Sequence, residues 1–296
     1  MRSSTLDLGA CCLLLATLSG SGCDAQRAEN TDDAEAAVVP VPTQFDAQMS
    51  GAIQGQVQWT GELPTAPTLE GYSNPVIENG PRSKILSPNP NLPRIDASSG
   101  GVGSAVVFLR GVDPKSAKNW DHGPVRVTQR GYRLRICEGD RESPYGFVRV
   151  GDKVTMDSDD ACFHSLHASG AAFFGLTFPE PHQPLTRKLK QRGIVELTSG
   201  AGYYWMRAYL FVADVPYLTA TDARGKFVLD QVPAGEYDLV SWLPNWREEH
   251  HERDPETSLI TRFFFRRPLQ ISRRVKIQPQ SLAEERFEVS ADMFDH

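Results

Sequence analysis

Short segments of β-forming residues, separated by clusters of Gly and Pro, most constrain the fold of this chain. The 24 Gly and 21 Pro residues favour many short strands and turns, and no segment sustains a helical period. The predicted strands cover residues 52–60, 105–110, 125–128, 132–136, 145–150, 153–157, 192–197, 204–213, 226–229, 237–242 and 269–277. Residues 65–103 are predicted as a long irregular connection, and 281–287 as a short terminal turn. The fold class is therefore all-β, with sandwiches as the expected architecture.

Length and charge narrow the classes of function. A chain of 296 residues has room for about two domains. Its net charge of −6 gives no reason to expect nucleic acid or an anionic membrane surface as a partner. The sequence contains no G-x-S-x-G, no H-E-x-x-H and no phosphate-binding Gly loop, so we predict that the protein is not an enzyme.

The N-terminal residues have the pattern of an export signal. Arg2 precedes the short apolar run Ala10 to Leu18, and small residues then lead to Cys23. Residues 1–22 are predicted as a signal peptide because the run is too short to span a membrane. The end of the segment, LSGSGC, resembles a bacterial lipoprotein signal, which implies lipidation of Cys23 and a membrane contact through that anchor alone. Plain secretion is the alternative, and both place the protein in the periplasm or on the outer surface.

The segment after Cys23 and the remaining cysteines carry two further predictions. Residues 23–50 are acidic and aperiodic, which indicates a disordered tether. Cys137 and Cys162 form an even pair in an oxidising compartment, which favours a disulfide between them. Two free buried thiols, or a metal role for Cys162 beside His164, are the alternatives.

The stretch VELTSGAGYYWMRAYLFV, residues 195–212, resembles the ligand loop of the blue-copper β-sandwich, the cupredoxin fold. Met206 stands at the axial Met position, but Gly200 stands at the Cys position and Tyr203 at the second His position. SDDACFHSLH resembles the strand-end motif that carries the first copper ligand, with His164 at that position. Because a type-1 site needs the thiolate, no cofactor is expected. The alternative is weak copper binding by His164, His167 and Met206, with His182 nearby.

Residues 219–242, TATDARGKFVLDQVPAGEYDLVSW, resemble the carboxypeptidase regulatory-like domain, a small transthyretin-like sandwich. The matching positions are Thr221, Asp222, Gly225, Phe227, Val232, Pro233, Gly235 and Tyr237. The opening of that family, G-x-I-x-G-x-V, is matched by Gly51, Gly55 and Val57 far upstream, which implies a discontinuous sandwich.

The expected organisation combines these two resemblances. A cupredoxin-like Greek-key domain of residues 116–214 is inserted in, or follows, a regulatory-like sandwich of residues 51–115 and 215–278, and 279–296 form a C-terminal tail. The same pairing of modules resembles that of bacterial methylamine-utilisation-like exported proteins.

Three clusters of side chains are candidates for binding. Tyr203, Tyr204 and Trp205 would form an aromatic surface for a sugar ring or a protein partner if they are exposed, and core packing is the alternative. Residues 242–256 carry adjacent His and acidic residues that suit a metal or plain solvation. Residues 262–267, RFFFRR, indicate a strand flanked by Arg or an interaction edge.

The function expected from these features is binding or assembly at the cell envelope without catalysis, with an envelope protein or a glycan as partner. The alternatives are a copper-binding or electron-transfer protein and a carbohydrate-binding protein.

Overall fold

The computed structural model describes residues 44–73, 83–139 and 141–295. The predicted signal peptide, the lipidation site Cys23 and most of the predicted tether lie outside these residues. The fold is all-β, with several sheets, as predicted. None of the helices in the described ranges is long and apolar enough to cross a membrane.

The described chain forms 23 strands and two short 3-10 helices, Ala47–Met49 and Ala291–Phe294. The strands are β1 Ser50–Trp59, β2 Leu69–Tyr72, β3 Lys84–Ser87, β4 Arg94–Ile95, β5 Val102–Gly103, β6 Val106–Arg110, β7 Val125–Gln129, β8 Leu134–Glu138, β9 Arg141–Ser143, β10 Tyr145–Arg149, β11 Lys153–Ser158 and β12 His164–Gly170. They continue with β13 Phe174–Phe178, β14 Leu185–Lys188, β15 Gly193–Ser199, β16 Arg207–Ala213, β17 Leu218–Ala220, β18 Lys226–Pro233, β19 Gly235–Leu243, β20 Glu248–Arg253, β21 Ile260–Phe265, β22 Leu269–Ile277 and β23 Leu282–Val289.

Two five-stranded sheets, in the orders β10-β16-β15-β12-β13 and β14-β11-β7-β8-β9, use every strand from β7 to β16. Alternating residues of both sheets, such as Val127, Met156, Leu166 and Leu210, share one buried core. The two sheets therefore form a sandwich, which we call the inserted sandwich.

A second sandwich is built from strands on both sides of the first in sequence. Its sheets have the orders β18-β1-β23 and β17-β6-β19-β22, and Ile53, Leu229, Leu239 and Phe287 lie in its common core. Strand β6 ends at Arg110 and the next strand of its sheet begins at Leu218, so the inserted sandwich lies between them in the chain. We call this second unit the flanking sandwich.

The two sandwiches pack face to face through an aromatic layer. On β16, Leu210 and Val212 point into the inserted core while Tyr209 and Phe211 point outward, because side chains alternate along a strand. Those outward rings meet Trp242 of β19, with centroid distances of 5.0 Å to Tyr209 and 5.1 Å to Phe211. Both faces of β16 are therefore buried, which explains its nearly continuous apolar sequence.

Three predictions about connecting and terminal segments were wrong. Residues 281–287 belong to strand β23, which pairs in parallel with β1, so 279–296 are not a tail. Phe294, in the last 3-10 helix, is 1% exposed and packs on Trp59 and Trp246. The connection predicted for residues 65–103 contains the short strand pairs β2–β3 and β4–β5.

Candidate metal centre

The loop between β11 and β12 and the first residue of β12 bring three potential metal ligands together. Asp160 and Cys162 lie in this loop, and His164 begins β12 with its side chain fully buried. His164 Nε2 lies 2.9 Å from Asp160 Oδ2 and 3.5 Å from Cys162 Sγ. All three ligand atoms lie within 4.8 Å of one another. The carboxylate, thiol and imidazole thus face one common point.

The carboxylate of Asp160 is held in place by the neighbouring β7–β8 turn. The backbone N–H of Gly131 donates to Oδ1 at 2.7 Å, and that of Tyr132 donates to Oδ2 at 3.2 Å. Gly131 has a φ of +60°, which brings its N–H toward the loop at little steric cost. Backbone donors of this kind position a ligand before any ion arrives, as the hydrogen-bond partners of metal ligands do in other metal sites.

Two tyrosine rings enclose the cluster on its inner side. Tyr203 is fully buried and its hydroxyl donates to Cys162 Sγ at 3.7 Å. Its ring centroid lies 5.1 Å from that of His164 and 5.1 Å from that of Tyr132. Burial raises the pKa of Tyr132, and the nearby Cys162 and Asp160 add to the effect. The cluster is therefore shielded from solvent on the side of Tyr203, while Cys162 and Asp160 remain partly accessible.

Burial lowers the pKa of His164, against the hydrogen bond and the charge of Asp160, which act to raise it. The imidazole is accordingly neutral near pH 7, which is the form that binds metals. Tetrahedral metal–sulfur and metal–nitrogen bonds of about 2.3 and 2.0 Å place the two ligand atoms roughly 3.5 Å apart. The observed separation of Sγ and Nε2 fits that value.

The same residues do not form a nucleophilic triad. In such a triad the thiol contacts one imidazole nitrogen and the carboxylate contacts the other. Here both groups face Nε2, and Nδ1 of His164 is buried without a partner among the described residues. The arrangement converges on a point, as a metal site does, and does not relay a proton.

Gly200, Tyr203 and Met206, which the resemblance places at the positions of the copper ligand loop, do not fit a type-1 copper site. A Cβ atom added at Gly200 would lie 2.5 Å from Nε2 of His167 and 2.9 Å from Oγ of Ser165, two side chains on the outer face of β12, so a side chain at this position would point away from His164. Tyr203, which the resemblance places at the second His position, is fully buried, and Met206 is 1% exposed within the inserted core. No copper chemistry of that kind is assigned to these positions.

The structure does not unite His164, His167 and Met206 as one site. On β12, His164 and Leu166 point into the sandwich, whereas Ser165 and His167 face outward, because side chains alternate. His167 is exposed on the outer face. The predicted set is therefore wrong for His167, and His182 lies beside Asp159, at 3.5 Å, outside the cluster.

The predicted disulfide is also absent, because Cys137 and Cys162 are both free. Ile136 of β8 points into the inserted core, so its neighbour Cys137 lies on the outer face of that sheet. Cys162 instead lies among His164, Asp160 and Tyr203.

Tyr203, Tyr204 and Trp205 are 0%, 5% and 2% exposed, so the predicted aromatic binding surface is wrong. The hydroxyl of Tyr204 donates to the carbonyl of Glu70 at 2.6 Å, and the indole N–H of Trp205 donates to that of Tyr132 at 3.0 Å. These rings close the end of the inserted sandwich and cannot stack on a sugar.

The role of Asp160 does not follow from the resemblance to a copper ligand loop. Asp160, Cys162 and His164 stand at every second position, but residues 160–162 form bends and not an extended strand, so their convergence depends on the loop conformation and not on the spacing alone. The charged segment 242–256 contributes no comparable cluster in the described structure. In this segment Nδ1 of His251 lies 2.5 Å from Oε1 of Glu248, and the ring of His250 stacks on that of Phe264 with a centroid distance of 4.3 Å.

Comparisons with known proteins give a likeness over about a third of the chain. No family model matches the sequence, and no curated protein matches it. A reduced-state amicyanin variant is 19% identical over 33% of this chain and 97% of its own, with a TM-score of 0.25. A purple cupredoxin from Nitrosopumilus maritimus is 12% identical over 31% of this chain and 99% of its own, also with a TM-score of 0.25. A reduced amicyanin variant with 18% identity covers 36% of this chain and 98% of its own at the same TM-score.

Proposed function

We propose that this chain is a non-enzymatic, exported binding protein that holds one transition-metal ion with Asp160, Cys162 and His164. The observation that carries the proposal is the convergence of carboxylate, thiol and imidazole atoms within 4.8 Å. The proposal departs from the expectation that no cofactor is bound, and of the alternative copper ligands His164, His167 and Met206 it keeps only His164.

The donor set indicates the class of ion. A thiolate and an imidazole suit Zn(II) and copper, whereas Mg(II) and Ca(II) prefer oxygen ligands alone. Three protein ligands leave a coordination position open, and Cys162 and Asp160 are partly accessible from solvent. The site is thus suited to taking up an ion that is exchanged, or to binding a further ligand through it.

Export, the envelope location and the absence of catalysis remain parts of this proposal. They rest on the signal-like residues 1–22, on Cys23 and on the lack of catalytic motifs. The regulatory-like origin of the flanking sandwich rests on its sequence pattern. The rings of Tyr203, Tyr204 and Trp205 are buried and therefore do not support a glycan-binding function.

The test is metal loading of the purified chain after treatment with a chelator. Zn(II), Cu(II) and Cu(I) are added in turn, and bound metal is measured by native mass spectrometry and absorbance. We expect one ion per chain, with a thiolate-to-metal absorption band for Cu(II). Replacing the thiolate ligand in C162A should weaken binding by at least about 100-fold, since the strongest donor is lost.

Two controls separate the site from general thiol and imidazole binding. The variant C137A removes the other free thiol, and H167A removes an exposed imidazole on the opposite face of β12. Both should bind metal as the unmodified chain does. Loading that survives in C162A, or that is lost in C137A, would refute the proposed site.

A further inference from the structure

A second site is suggested by a cavity of about 370 Å³ beside the junction of the two sandwiches. Its floor is the outer face of β15 and β16, where Glu196, Thr198 and Arg207 stand. Trp242 of β19 and the segment from β21 to β22 complete the wall. The cavity is on the outer face of the sheet whose inner face packs the sandwich core, so it is distinct from the proposed metal centre. Its volume lies within the range of small-molecule pockets.

Two N–H groups in this wall lack acceptors. Trp242 is 0% exposed and its Nε1 has no partner among the described residues, and the same holds for Nε of Arg207. The side chain of Arg207 is only 7% exposed. A buried donor left unpaired costs about 1–3 kcal/mol. A ligand in the cavity that accepts a hydrogen bond from these groups would remove that cost.

Arg207 is held rigidly enough to serve as an anchor. It donates from Nη1 to Glu196 at 2.5 Å and from Nη2 to the carbonyl of Phe263 at 2.7 Å. Its guanidinium also lies 4.6 Å from the centre of the Phe265 ring. These contacts fix the position of the guanidinium, and Nε is among its N–H donors that have no partner within the described residues.

The charge around the cavity is opposite to that of the chain as a whole. The net charge of the protein is −6, yet four arginines line the cavity against one carboxylate, that of Glu196. Arg262 and Arg266 have acidic neighbours, Glu252 at 3.6 Å and Asp295 at 3.9 Å. No carboxylate among the described residues lies within ion-pair distance of the exposed Arg267. Such a local excess of positive charge attracts anions.

The remaining wall is aromatic. Phe264 and Phe265 of β21 are partly exposed and present their rings to the cavity, next to the buried pair of Tyr204 and Phe263, whose ring centroids lie 5.8 Å apart. We propose that this cavity binds a small organic acid, with its carboxylate toward Arg207 and Trp242 and a ring against the aromatic wall. An inorganic anion alone would satisfy the charge but leave most of the cavity and its aromatic wall without contact.

The test uses the full chain, stripped of metal, with 4-hydroxybenzoate as the probe. Trp fluorescence and calorimetry measure binding, and the neutral 4-hydroxybenzamide and inorganic sulfate are compared. We expect saturable binding of the acid with a Kd near about 1 mM or tighter, and binding at least about tenfold weaker for the amide and for sulfate. No saturable binding of the acid, or equal binding of all three probes, would overturn the proposal.

Three variants locate the site. R207K keeps a positive charge beside Glu196 but lacks the Nε donor, and should weaken binding by about tenfold. R267Q alters only an exposed side chain and should weaken binding by about threefold with a smaller dependence on salt. R224Q, on the exposed turn before β18, is the matched control and should leave the Kd unchanged.

Folding is checked by circular dichroism for each variant. If R207K does not fold, the proposal is still tested by comparing the Kd of R267Q with that of R224Q, because equal affinities of these two variants for the acid would contradict it. The variant C162A should bind the acid as the unmodified chain does. Failure of the proposed metal site and failure of the proposed acid site can therefore be distinguished, because each is measured by its own binding experiment.

Discussion

At the scale of single residues, Gly225 shows how one backbone position fixes a junction between strands. It has a φ of +76°, its N–H donates to the carbonyl of Asp222 at 3.0 Å, and its own carbonyl accepts from Val57 N–H at 2.8 Å. A Cβ atom there would collide with the backbone of Val57 and Val102. The sequence motif includes Gly225, but the motif does not predict the contact with Val57, which lies far away in the sequence.

We expect Gly225→Ala to lower the free energy of unfolding by about 2–4 kcal/mol, since it adds a backbone collision to the cost of a left-handed conformation. Gly111 is the matched control, because it has a φ of +92° but a Cβ added there would meet no atom within 4 Å. Gly111→Ala should cost only about 1–2 kcal/mol. Denaturant unfolding measures both, and equal losses would show that the close approach at Gly225 is unimportant.

The candidate site illustrates what residue spacing can and cannot predict. The resemblance to a copper ligand motif identifies His164, and Cys162 stands beside it in the sequence. Asp160 is not predicted in this way, because its position depends on the Gly131 and Tyr132 N–H groups of another loop. The inclusion of His167 was wrong because its spacing from His164 would suit a loop, whereas an extended strand puts the two on opposite faces.

At the scale of elements, β23 is the strand that local sequence could not predict. Its Ala-Glu-Glu-Arg run has a high helix propensity, which favours a terminal turn. The strand instead pairs in parallel with β1, with Val57 opposite Phe287. Tertiary pairing with β1, at the other end of the described chain, overrides the local preference, while alternating segments such as β1 and β16 were predicted closely.

Phe287 anchors this strand, as it is fully buried and its ring centroid lies 6.3 Å from that of Phe227. We expect Phe287→Ala to lower the free energy of unfolding by about 3–5 kcal/mol, since it leaves a cavity in the flanking core. Leu282→Ala on the same strand should change it by less than about 0.5 kcal/mol, because Leu282 is 54% exposed. Urea titration followed by circular dichroism measures both, and a neutral Phe287→Ala would mean that β23 is dispensable.

At the scale of the whole molecule, the aromatic layer between the sandwiches determines whether they behave as one unit. Tyr145, Tyr209 and Phe211 surround Trp242, with Tyr145 at 5.9 Å and edge-on. If the two sandwiches separated, these rings would become exposed to water. The aromatic residues of β10 and β16 thus explain how the inserted sandwich shares a buried layer with the flanking sandwich. The hydrophobic pattern of a single strand does not predict this packing between sandwiches.

This layer predicts that the two sandwiches unfold together. In the unmodified chain, tryptophan fluorescence and far-ultraviolet circular dichroism should give the same transition midpoint in urea. Phe211→Ala should destabilise the protein by about 3–5 kcal/mol and separate the two midpoints, because it leaves a cavity in the layer and removes one of the three rings of the inserted sandwich that pack on Trp242. Phe173→Ala, at a side chain that is 93% exposed, should leave a single transition at the original midpoint. Two separate transitions in the unmodified chain would show that the sandwiches are energetically independent and that the aromatic layer does not couple them.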